Sequence, residues 1–167
     1  NDANEGNLIS GTGLTIGNGQ GINISSNGVV PTAGNVIAGN RIGTNAGGTA
    51  AIGNASIGIA MSLVGANLGG GTTAEARNLI SGNFVAPPGS TGYAVYLDRT
   101  IGTQLHGNYI GTDFSGNVSV PNGGCVELIF GGSNVEIGGT APGAGNLISG
   151  NTTRGAFNDS CILIQQG

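Results

Sequence analysis

The chain has 167 residues, 36 of them glycine, with 7% charged and 4% aromatic residues, no Trp and a formal net charge of −4. Its four basic residues are all arginine (Arg41, Arg77, Arg99 and Arg154). With no basic cluster to neutralise phosphates, nucleic acid is not an expected partner, and no apolar run approaches the roughly 18 residues of a membrane-spanning helix.

The first element is "GNLISG" at 6–11, and nearly the same letters return as "RNLISGN" at 77–83 and "GNLISGN" at 145–151. Looser versions stand at 34–40 ("GNVIAGN") and 103–108 ("TQLHGN"). Self-similarity at a regular interval predicts a repeat architecture. The spacing aligns Ile9, Ile37, Ile80, Leu105 and Ile148 in one five-fold column. A glycine follows two residues later in each, and then Thr12, Asn40, Asn83, Asn108 and Asn151. Glycine at a fixed offset suits a bend, and asparagine repeated at one corner stacks as a ladder of amides.

Between these copies runs a second series: "GINI" from 21, "GIAM" from 58, "AVYL" from 94, "CVEL" from 125 and "CILI" from 161. The second and fourth positions of each are apolar, which predicts short strands with one buried face. Intervals of 31 to 37 residues then give about five coils of a parallel β-helix, all-β and one domain over residues 1–167. Such glycine density excludes long helices, since each interior glycine costs a helix roughly 1 kcal/mol. Coils with an "IGT" turn and a Gly-rich excursion (34–59 and 105–126) alternate with coils carrying "NLISGN", so the full period is two coils.

The linked motifs N-x-I-x-G-N, I-G-T-D/N, I-G-G-T and G-I-x-I resemble the right-handed parallel β-helix repeats of large secreted and surface proteins of bacteria. The resemblance implies right-handed coiling, the pectate-lyase-like superfold and an extracellular or cell-surface location. That superfold carries lyases, hydrolases, epimerases, adhesins and passive stalks, so it does not select a function.

The chain begins within a repeat and finishes on a strand, so a segment of a longer solenoid is expected, with end-to-end stacking as a further possibility. Cys125 and Cys161 occupy one column a coil apart. That is close enough for a disulfide, with small-residue packing as the alternative. The glycine-rich stretch at 11–21 lacks the Lys-Ser/Thr of a phosphate loop, and no cofactor or metal is expected.

Candidate chemistry lies where the repeat departs from its own pattern. If Val95, Leu97, Val126 and Leu128 point inward, Tyr96, Asp98 and Glu127 point outward. Asp98 and Glu127 are then diagonal neighbours with Cα atoms roughly 8 Å apart, a spacing compatible with the acid and base of an inverting glycosidase. Arg99 stands beside them, Tyr96 offers a ring for a sugar, and His106 interrupts a column of Ser and Ala. Outward Asp, Glu and Tyr are also ordinary solvated residues of a β-helix, and this is the preferred reading. Asp113, matched by Asn45 in another coil, is expected to serve its turn. The expected function is a noncatalytic stalk or adhesive surface binding polysaccharide or cell-surface glycan. The alternatives are a polysaccharide-active enzyme and a self-assembling filament unit.

Overall fold

The computed structural model describes residues 6–13, 19–28, 32–83, 92–152 and 160–165. Arg154 and part of the glycine-rich 11–21 stretch lie outside them. Among the described residues there is no helix, and every strand pairs in parallel. The fold is a β-solenoid with three faces.

Sheet A stacks β1 (Leu8–Ile9), β4 (Arg41–Ile42), β7 (Leu79–Ile80), β10 (Tyr109–Ile110) and β13 (Leu147–Ile148). Sheet B stacks β2 (Ile22–Ser25), β5 (Ile59–Ser62), β8 (Val95–Asp98), β11 (Val126–Ile129) and β14 (Ile162–Ile164). Sheet C holds β3 (Val36–Ile37), β6 (Leu68–Gly70), β9 (Gln104–His106) and β12 (Glu136–Ile137). Each coil runs through B, then C, then A. The chain therefore makes about four complete turns rather than five, with β1 and β14 as extra rungs on sheets A and B.

The alternating series places its apolar residues in register, Ile22 to Ile59 to Val95 to Val126 to Ile162. Ile42, Ile59, Met61, Ile80, Leu97 and Ile110 fill the interior and are almost wholly buried. Burying an aliphatic side chain of this size stabilises by about 1.5–3 kcal/mol relative to leaving it exposed.

The five-fold column read from the NLISG-like motifs is divided between two sheets. Ile9, Ile80 and Ile148 stand in sheet A, in register with Ile42 and Ile110. Ile37 and Leu105 stand in sheet C. The reason is that Asn-x-Ile-x-Gly-Asn describes any short side bounded by two asparagine corners, and each coil has more than one such side.

The asparagines form ladders, but not with the expected members. One runs Asn7, Asn40, Asn78, Asn108, Asn146, with amide-to-Oδ1 bonds of 3.0–3.1 Å between successive side chains. A second starts at Thr12 and runs Asn54, Asn83, Asn122, Asn151 at 2.8–3.0 Å. Asn35 and Asn67 make a third, shorter one at 2.8 Å. The two asparagines of NLISGN at 78 and 83 are thus rungs of two ladders flanking one strand. In the alternate coils the second rung comes later, because hairpin excursions closed at Thr44–Ala51 and Thr112–Ser119 intervene. Asn45 and Asp113 hold these excursions, each accepting backbone amides four and five residues on. Gly111 has φ of 90°, and a Cβ there would collide with the Asn151 side chain on the next rung.

Candidate functional site

On sheet B the register sets Glu127 beside Tyr96 and Ile129 beside Asp98, so Asp98 is the diagonal neighbour of Glu127 on the outer face. Neither carboxylate is an ordinary solvated group, since Asp98 and Glu127 are each only 8% exposed. This corrects the surface-residue expectation. Strand alternation gives a side chain's direction but says nothing of what lies over it.

Asp98 is engaged by its neighbour. Arg99 Nε and Nη2 donate to Asp98 Oδ1 and Oδ2, both at 2.8 Å. Consecutive strand residues ordinarily point to opposite faces, but Arg99 sits in the left-handed region at φ 50° and so shares a side with Asp98. Leu63 and Phe130, which follow β5 and β11 as Arg99 follows β8, have the same backbone conformation. The Arg99 guanidinium also lies 5.7 Å from the Phe130 ring centre on the next rung.

Burial pushes the Glu127 carboxyl above its ordinary value, and a hydrogen bond from the Tyr93 side chain holds it partly back. Tyr93 and Tyr96 rings lie 6.0 Å apart at 38°. The Tyr96 phenol is raised by burial first and then by the charges of Asp98 and Glu127. The cluster is a tyrosine pair flanked by two partnered carboxylates.

His106 does not join it. It belongs to β9 in sheet C, where its Nε2 lies 3.4 Å from Glu136 Oε2, short of hydrogen-bond geometry. Gln104 donates to the same oxygen at 3.2 Å. Cys125 and Cys161 are joined by a disulfide with Cα atoms 5.0 Å apart, linking the adjacent strands β11 and β14. Among the described residues no group of three or more His, Cys, Asp or Glu is placed to hold a metal ion. No helix among them is long and apolar enough to cross a membrane.

A second outer feature was not anticipated. Arg41, Leu79 and Tyr109 are successive outward residues of sheet A, and the excursions arch over them, tied together by Phe114 N–H donating to Gly48 O at 2.9 Å. A groove of about 140 Å³ results. Arg41 lies 5.2 Å from the Phe114 ring centre and Arg77 lies 4.0 Å from that of Tyr109. The scarcity of cations was the available signal, with two of only four arginines converging here. The pairing needs both the register and the fold of the excursions.

No family model matches the chain, and neither a curated protein nor a solved structure matches it.

Proposed function

We propose that this chain is a noncatalytic extracellular solenoid module, a rigid stalk whose sheet B face binds glycans. The pairing of Asp98 with Arg99 carries the reading: a carboxylate bonded at both oxygens by its neighbour's guanidinium is committed to a structural partner. The ladders and parallel register make the face rigid, and a rigid face gives up little conformational freedom on binding. Tyr93 and Tyr96 supply stacking area at its centre, with Phe130 exposed beyond Arg99. Membership in the right-handed, pectate-lyase-like class and a bacterial surface setting rest on the resemblance of the repeat motifs.

The runner-up is a polysaccharide-active enzyme with Glu127 as acid and Asp98 as base. One observation favours it, the rise of the Glu127 carboxyl through burial, the direction a general acid requires.

Glycan-array binding of the native chain and Tyr96→Ala separates a binding face from a passive stalk. Retained fold with binding weakened about tenfold or more by Tyr96→Ala supports the proposal. Binding to no glycan, or binding indifferent to Tyr96, removes the glycan-binding part.

A further inference from the structure

We propose that the groove over sheet A binds a small amphiphilic carboxylate, one anionic group on a short aromatic or branched aliphatic body. This site is separate from the sheet B face and does not rest on the reading of that face.

Charge selects the anion. In a chain of net charge −4 with four arginines and no lysine, Arg41 and Arg77 converge on one groove. Neither takes part in the Arg99–Asp98 ion pair or the His106–Glu136 contact of the described residues. Arg77 Nε donates to Gly107 O at 3.2 Å, and its guanidinium carbon lies 4.0 Å from the Tyr109 ring centre. Arg41 Nε is buried with no hydrogen-bond partner, an expensive state for a cationic donor. The two guanidinium carbons lie 5.2 Å and 4.0 Å from the Phe114 and Tyr109 ring centres, within cation–π range, and a planar guanidinium suits a two-oxygen acceptor. Glu75 also lines the groove. Its own backbone amide and Thr73 hold its carboxyl below the ordinary value, with a smaller effect from Arg77.

Shape and polarity select the rest of the ligand. The groove is floored by Leu79, which is 3% exposed although it points outward, and walled by Tyr109 and Phe114. Asn40, which also lines the groove, is already committed to the ladder and to the Ala38 carbonyl. The apolar floor and aromatic walls fit an apolar body. The space of about 140 Å³ is close to the roughly 150 Å³ of a cavity known to take benzene. Both a free acid and the terminal residue of a peptide chain present this chemistry.

The test is titration of the 167-residue chain with 3-phenylpropionate, followed by the ring resonances of Tyr109 and Phe114. Saturable shifts are expected, weakened about tenfold or more in Arg41→Gln and in Arg77→Gln, and similarly weakened for the neutral 3-phenylpropanamide. The amide comparison uses the native chain, so the test survives if either substitution fails to fold. A dipeptide ending in a free phenylalanine carboxylate that binds as well, and loses binding when amidated, makes a chain terminus the source. Binding by the free acid alone makes it a small molecule. No saturable shift, or equal binding of acid and amide, overturns the proposal.

Discussion

The side-chain amide of Asn83 donates to Oδ1 of Asn122 at 3.0 Å, and the Asn83 backbone amide donates to the same oxygen. Its own Oδ1 accepts from Asn54 at 2.9 Å, so one buried residue joins three coils. Asn83→Ala is expected to lower unfolding free energy by about 2 kcal/mol in urea titrations, from buried groups left unpartnered. Asn83→Asp should cost more, and increasingly so as pH rises through the ordinary aspartate range, because a carboxylate then faces the Ile42 carbonyl and Asn122 Oδ1. Asn45→Ala, on an exposed excursion, should cost less than about 1 kcal/mol.

The disulfide closes a sequence separation of 36 residues and pins β14 to β11. Reduction, or Cys161→Ser, is expected to cost about 2–4 kcal/mol and to speed amide exchange at Ile162–Ile164 before the central rungs. Equal exchange with and without reductant would mean that the ladder pairing alone holds that strand.

Glu127 and Asp113 should move stability in opposite directions with pH. The folded Glu127 carboxyl titrates above its unfolded value, so the fold binds the extra proton. Its contribution is present below the ordinary glutamate value and is lost as pH rises through the raised one. The backbone amide of Val118, followed by Ser115 and Asn117, lowers Asp113, whose contribution is present at neutral pH and lost as pH falls through the depressed value. Thermal melts of Glu127→Gln should therefore lose the neutral-side decline and keep the acid-side one, and those of Asp113→Asn should do the reverse.

Gly111→Ala is expected to cost on the order of 3 kcal/mol, combining a left-handed backbone at φ 90° with collision against Asn151. A measured cost near that of an exposed loop glycine would mean that the ladder can shift to admit a methyl group.

The register of sheet B is readable, because period-two alternation aligns Ile22, Ile59, Val95, Val126 and Ile162. The two-coil period was readable too, since β1, β7 and β13 all spell Leu-Ile and alternate with Arg-Ile and Tyr-Ile. Assignment of motifs to sides was not. Gly39 and Gly82 both have φ of 74° and both precede a ladder asparagine, although the strand before Gly39 is in sheet C and that before Gly82 in sheet A. Identical local physics writes identical letters at different corners. Burial of Asp98 and Glu127 and convergence of Arg41 with Phe114 were hidden as well. They depend on left-handed corners and excursions whose paths across the outer faces have no periodic signature.

A noncatalytic face on sheet B can be checked most directly by following reducing ends and unsaturated products from a panel of plant, algal and bacterial polysaccharides, with and without calcium. No turnover by the native chain is expected, and glycan binding should survive Glu127→Gln. Turnover abolished by Glu127→Gln or Asp98→Asn in a folded variant would contradict it and make those two carboxylates the acid and base of an enzyme.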